Sequence, residues 1–452
     1  MFKFSSDFVF GVATASYQIE GAWNEDGKGE NIWDRFSHTP GKIEDETNGD
    51  MTCDHYHRFE EDITLMKELG VDAYRFSISW SRIFPEGKGR VNERGVEFYR
   101  RLIQKLKEAN IQPVVTLYHW DLPQALQNKG GWESKETIDA FLEYARFLFR
   151  VFRDDVPLWI THNEPWVVSF PGHYEGTMAP GKSNFGSALS VSRNLLLSHG
   201  LVVQAFREEK INSKIGIALN LSPVHSVSNN KEDVEAAKRF DGYLNRWFLD
   251  PLFRGQFPED MLDWYQKKGW QILPLTSEES KIVSQPIDFL GINYYSRHIV
   301  KRGQESVLEV DFSYPPESEY AEMGWEVYPP GIHEITTRVN TEYNPEEIYI
   351  TENGISVQDE VDEDGKIKDV KRIEYLKEHL LRLYQAMEEG CPVKGYFVWS
   401  LMDNFEWVRG FSQRFGLIYT DYKTLKRIPK ESFYWYQKII NGRALSKDMN
   451  FV

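Results

Sequence analysis

Cysteine is almost absent: Cys53 and Cys391 are the only two in 452 residues. Two thiols make neither a disulfide framework nor a metal site, and they suit a reducing compartment. Long apolar runs are missing too. No uninterrupted stretch approaches the roughly 18 residues that a membrane-spanning helix needs, and mean hydropathy is −0.52. The opening Met1-Phe2-Lys3-Phe4-Ser5-Ser6-Asp7 lacks the apolar core of a secretory leader and runs into a candidate strand, so a cytoplasmic location is expected. Positive charge is in deficit, with 53 Lys and Arg against 69 Asp and Glu and a net charge of −16. That balance speaks against nucleic acid, anionic membranes and anionic ligands as partners. There is no internal repeat and no low-complexity linker, so residues 1–452 are expected to form a single domain.

What is present is an alternation of short apolar runs and amphipathic stretches. The runs read as strands over Phe8 to Ala13, Val71 to Ile78, Pro113 to Tyr118, Pro157 to Thr161, Ile215 to Asn220, Ile287 to Ile292, Glu347 to Thr351 and Gly395 to Trp399. Between them, Phe59, Ile63, Met66 and Leu69 fall on one helical face, as do Val96, Tyr99, Ile103 and Leu106. Strand–helix alternation eight times over predicts an α/β fold, a closed (β/α)8 TIM barrel with extended βα loops at its C-terminal face. The acidic turn Asp362-Glu363-Asp364-Gly365 resembles a calcium loop only superficially. The glutamate required at loop position 12 falls at Lys371, so the segment reads as a solvated loop tip.

In a parallel barrel, chemistry sits at the C-terminal ends of the strands. Two of those ends carry glutamates after strongly apolar runs: Thr161-His162-Asn163-Glu164-Pro165 and Ile350-Thr351-Glu352-Asn353-Gly354. Either glutamate alone reads more readily as a surface or loop-anchoring residue. Two delivered to one rim from different strands are the equipment of glycoside hydrolysis. The remaining ends add Gln18, Arg75, His119-Trp120, Asn220, Asn293-Tyr294-Tyr295, Trp399 and Glu406-Trp407. Such a rim offers bidentate donors and acceptors with flat apolar platforms, which a neutral polyhydroxylated ligand needs. The chain's 14 Trp, 23 Tyr and 28 Phe fit the same picture. A phosphorylated ligand would want clustered Lys or Arg there. Arg75 is the main cation at this rim, and an interior glutamate is its expected partner.

These motifs resemble those of the glycoside hydrolase family 1 β-glucosidases, and the resemblance runs from about Phe8 to Ile440. It implies a retaining β-glucosidase that uses no cofactor and no metal. Matched motif to motif, Glu164 is implied as acid/base and Glu352 as nucleophile. The same resemblance implies that Gln18, His119, Asn163 and Glu406 bond the non-reducing sugar, with Trp120 and Trp407 beside them. Trp399 is implied as its platform, while Asn293 and Tyr295 line the reaction centre with Arg75. Met323-Gly324-Trp325 resembles the border of the leaving-group site. His162 departs from the residue types usual at that position, which puts its influence on the carboxylate pair in question. The expected partners are small β-glycosides such as cellobiose and short cello-oligosaccharides, with some β-galactosidase or β-fucosidase side activity; a homo-oligomer is open. Two rivals stand beside this reading. A 6-phospho-β-glycosidase should carry a Ser/Lys/Tyr-type phosphate cradle after the eighth strand, where this chain has Glu406-Trp407, and a charged Glu406 would repel a phosphate. A non-catalytic sugar-binding barrel predicts loss of one glutamate, and both are present.

Overall fold

Parallel strands are stable when both faces are covered, and such strands read as continuous apolar runs. In the computed structural model, which describes residues 2–272 and 274–446, all eight runs become such strands. They are β1 (Val9–Ala13), β2 (Ala73–Ser77), β3 (Gln112–Tyr118), β4 (Leu158–Asn163), β5 (Lys214–Asn220), β6 (Phe289–Asn293), β7 (Ile348–Asn353) and β8 (Val393–Trp399). Each pairs in parallel with the next, and β8 pairs with β1 to close the barrel. The helices His55–Leu69, Glu93–Glu108, Lys135–Val151, Phe185–Glu208, Pro330–Tyr343, Val370–Glu388 and Glu431–Gly442 fill the connections. Both apolar faces read from the sequence are buried, Phe59, Ile63, Met66 and Leu69 on the first of these helices and Val96, Tyr99, Ile103 and Leu106 on the second. Among the described residues, no helix is long and apolar enough to cross a membrane.

Boundaries shift by one or two residues throughout, and three strands run further at their C-terminal ends than the sequence reading. Asn163, Asn293 and the pair Glu352-Asn353 lie inside β4, β6 and β7 rather than in the loops that follow. A pattern of apolar residues stops at the first polar side chain, but these side chains are buried and satisfied by bonds across the barrel. The pairing register shifts between Ile160 and Asn163 on β4 and between Ile350 and Glu352 on β7. Irregularities of this kind re-aim side chains at barrel rims, and here they fall on the two strands that deliver the glutamates.

The loops beyond the strands are long and carry structure of their own. Val224–Ser226, following β5, joins His298–Arg302 and Val310–Phe312, which follow β6, in a three-stranded sheet. Gly354 ends β7 where no side chain fits: a Cβ there would lie 1.8 Å from the Trp399 carbonyl oxygen. The acidic turn is a loop tip, as expected. Asp362 accepts the backbone N–H groups of Asp364 (3.0 Å) and Lys366 (2.8 Å) on its own Oδ1.

Candidate active site

Arg75 projects from β2 into the barrel, fully buried, and a buried guanidinium must spend its N–H groups on acceptors. One terminal nitrogen donates to Glu352 Oε1 (2.7 Å) and to the Thr351 carbonyl (3.0 Å). The other donates to Asn163 Oδ1 (2.6 Å), and Nε to Thr116 Oγ1 (3.2 Å). The expected partnership of Arg75 with an interior glutamate is therefore present. The second oxygen of Glu352 accepts the Tyr295 hydroxyl at 2.6 Å.

Because Arg75 is an obligate donor, it orients a chain of amides. Asn163 must present its oxygen to Arg75, which leaves Nδ2 to donate to His119 Nε2 at 3.0 Å. His119 is buried, and burial, with Arg75 adding, drives its pKa well below the usual value, so the ring is neutral. Its Nε2 accepts; its Nδ1 therefore carries the hydrogen and has no partner among the described residues. Asn293 is fixed in the same way. Its oxygen accepts from Thr351 (2.6 Å), and its Nδ2 donates to Asn163 Oδ1 (2.9 Å) and to Glu164 Oε1 (2.8 Å).

The two glutamates thus have different surroundings. Glu164 sits at the N-terminal end of the short helix Pro165–Phe170, in the left-handed region at φ 47°, a conformation that persists only where neighbours hold it. Burial pushes its carboxyl up to about 8, the charge of Glu352 adds to the rise, and the Asn293 bond opposes it. Burial raises Glu352 as well, but Arg75 and the Tyr295 hydroxyl work against that rise with charge and hydrogen bonds. The arrangement favours a proton on Glu164 and a charge on Glu352.

Beside the pair lies a polar and aromatic enclosure. Gln18 Nε2 donates to the Phe405 carbonyl (2.9 Å) and Asn404 Oδ1 (3.1 Å), and Glu406 Oε2 stands at 3.4 Å. Gln18 Oε1 is left as a buried acceptor with no partner among the described residues. One free acceptor and one free donor, with Glu406 beside Gln18, match hydroxyl groups, which both give and accept. Trp407 packs on Trp120 with centroids 4.5 Å apart, and His119 lies nearly parallel to both Trp399 (5.8 Å) and Trp407 (5.9 Å). Trp120 anchors itself through Nε1 to the Asn163 carbonyl (2.9 Å). Trp325 stands apart, 37% exposed, against Tyr295 at 5.2 Å.

The residues read from the sequence as catalytic or sugar-binding come together at this end of the barrel, and two readings need revision. His162 does not approach the carboxylates: it points outward, stacked on Phe141 at 4.6 Å and bonded through Nε2 to Ser198 (2.8 Å). Neighbours along a strand face opposite ways, so Asn163 turning inward sends His162 out. The second concerns Glu406. Burial and the nearby Glu352 charge push it up to about 8, so repulsion by a charged Glu406 is not what disfavours a phosphate. The lack of cations does that: among the described residues, the side-chain partner of Glu406 is Gln18, with no Lys or Arg on either. Thr116, Thr351 and Asn404 were missed by sequence reasoning, although Thr351 sits within a quoted strand-end peptide.

A (β/α)8 barrel with paired buried carboxyls at its C-terminal rim, one raised by burial and one ion-paired, has the equipment of a glycoside hydrolase. The family model for glycosyl hydrolase family 1 matches residues 2–444. Beta-glucosidase A of Acetivibrio thermocellus is 50% identical over 443 residues, covering 98% of this chain and 99% of that protein. Beta-glucosidase A of Thermotoga maritima is 49% identical over 446 residues, with 98% and 99% covered. The solved family 1 β-glucosidase of T. maritima superposes with a TM-score of 0.95 at 48% identity, covering 98% of this chain and 99% of that one. The chain belongs to glycosyl hydrolase family 1 and is an enzyme that acts on O-glycosyl bonds.

Proposed function

We propose that this hydrolase is a retaining β-glucosidase that releases terminal non-reducing β-D-glucosyl residues from cello-oligosaccharides and aryl β-glucosides. The observation that carries the mechanism is the contrast between the two carboxyls: Glu164 raised to about 8 and Glu352 held between Arg75 and Tyr295. Retention requires carboxyls about 5–5.5 Å apart, with no room for water in the first step. Glu352 attacks the anomeric carbon, and Glu164 gives its proton to the departing oxygen. Asn293 occupies Oε1 of Glu164 and leaves Oε2 to carry that proton. Forming the glycosyl ester removes the charge on Glu352 that held Glu164 up. Glu164 then takes a proton from the incoming water and frees the sugar. Asn163, oriented by Arg75, serves the sugar 2-hydroxyl in this reading, a contact that strengthens in the oxocarbenium-like transition state. The relatives named beta-glucosidase A support the glucoside preference, as does the T. maritima enzyme solved with deoxynojirimycin, at 47% identity and a TM-score of 0.95.

The deciding experiment is hydrolysis of para-nitrophenyl β-D-glucoside, with proton NMR recording the anomer first released. β-Glucose is expected. α-Glucose would mean inversion and overturn the assignment of Glu352, and cleavage of the 6-phosphate analogue alone would overturn the glucoside reading.

The pH dependence follows from the same two groups. Activity needs Glu352 ionised and Glu164 protonated, so kcat/KM should rise as Glu352 loses its proton and fall as Glu164 loses its own, with the falling limb near pH 8. Replacing Glu164 should erase the falling limb for a substrate whose leaving group needs no proton. A profile that stays flat through the acidic range would contradict the pairing.

A further inference from the structure

Trp325 is the most exposed aromatic beside the reaction centre, and its own contacts are loose: ring centroids lie 5.2 Å from Tyr295 and 6.2 Å from Phe415. The next residue is held far more firmly. Glu326 accepts both arms of Arg297, Nε to Oε2 and a terminal nitrogen to Oε1, each at 2.8 Å. Bidentate pairs of this kind fix direction as well as distance. Ser318 adds a bond to Oε1 at 2.6 Å, and Ser296 donates to the Glu326 carbonyl at 2.8 Å. Arg297 is itself confined. Its guanidinium lies over the Tyr328 ring at 3.8 Å, and its remaining nitrogen meets His225 Nδ1 at 3.1 Å.

Glu326 forms an antiparallel bridge with Tyr320, and in extended backbone adjacent side chains point to opposite faces. Fixing Glu326 on one face therefore fixes the direction of Trp325 on the other. Arg297 follows Tyr295 by two residues, and Tyr295 bonds Glu352. One ion pair thus joins the backbone that bears Trp325 to the backbone that positions the Glu352 carboxylate.

We propose that Arg297 and Glu326 are a positioning pair that sets the leaving-group wall: they touch no reacting atom and act by holding Trp325 against Tyr295. The inference rests on the reading of Trp325 as part of the leaving-group site. Substrates that share a glucosyl group but differ in leaving group separate the pair's effect. With a dinitrophenyl leaving group the first step is fast and the common second step limits turnover, which involves no leaving group. With cellobiose the first step depends on how the departing glucose is held.

Arg297→Gln and Glu326→Gln should each lower kcat/KM for cellobiose by about tenfold to a hundredfold, while kcat for dinitrophenyl β-glucoside stays at the parent value. Arg297→Lys, which keeps the charge but not the fork, should recover part of the loss. The decisive comparison is a double-mutant cycle with Trp325→Ala. If Arg297 acts through Trp325, adding Arg297→Gln to Trp325→Ala should cost less than about a further twofold on cellobiose. Full additivity, or equal losses on both substrates, would overturn the proposal. Failure of the reading beneath it looks different: Trp325→Ala alone would leave cellobiose hydrolysis unchanged. Glu326→Gln keeps the side chain's shape and an acceptor for Arg297, so it tests the pair even if Arg297→Gln does not fold.

Discussion

Replacing Glu352 by alanine is expected to cut turnover of β-glucosides by roughly 10⁴-fold or more, the scale seen when a covalent nucleophile is removed, or about 5 kcal/mol of barrier. The loss is large because nothing nearby can substitute. Glu406 stays raised by burial, the larger cause of its shift, even without the Glu352 charge, and Glu164 serves as the acid. The fold should survive the change. Arg75 retains Asn163, Thr116 and the Thr351 carbonyl as acceptors, so the buried guanidinium is not stranded. Truncation leaves space beside the anomeric carbon, on the face opposite the leaving group. Added azide should enter there and restore part of the activity, and the product should be the α-glycosyl azide. A β-azide would mean that Glu352 serves as the acid/base and that the two roles are exchanged.

The residues behind that prediction were legible in the sequence for a physical reason. A parallel barrel strand is apolar until it reaches the rim, so Glu164 and Glu352 stand out at the ends of the runs that become β4 and β7. All eight strands were visible on the same ground. Their ends were not, because Asn163, Asn293 and Asn353 are polar yet buried, and burial of an amide depends on partners supplied by other strands. Asn293 is held by Thr351 across β6 and β7, and Asn163 by Arg75 from β2. The three-stranded sheet drawn from the loops after β5 and β6 was equally hidden, since its longest strand has only five residues and its first strand pairs across more than 70 positions. The Arg297–Glu326 pair spans 29 positions and breaks no local pattern. His162 shows the converse. Adjacency in sequence to Glu164 suggested influence, but strand alternation put its ring on the far side of the barrel wall.

Replacing Glu164 by alanine should give a result that depends on the leaving group, and that dependence is the sharper test of its role. Dinitrophenolate departs without a proton, so formation of the glycosyl-enzyme should proceed at close to the parent rate. Cellobiose and alkyl glucosides, whose leaving oxygens need protonation, should lose about 10²–10⁴-fold in kcat/KM, the usual worth of a positioned general acid. The second step loses its base for every substrate. Glycosyl-enzyme should therefore accumulate with dinitrophenyl β-glucoside, visible as a burst of dinitrophenolate and a fall in both kcat and KM. Azide needs no deprotonation, so it should relieve this block by attacking from the face that Glu164 vacated and yield the β-glycosyl azide, the opposite anomer to that from the Glu352 variant. Replacement also removes a carboxyl whose pKa burial has raised, while Asn293 keeps Asn163 as an acceptor. Loss of folding is accordingly not the expected cause of any defect. Equal losses for good and poor leaving groups in the first step would show that Glu164 is not the acid, whatever its pKa.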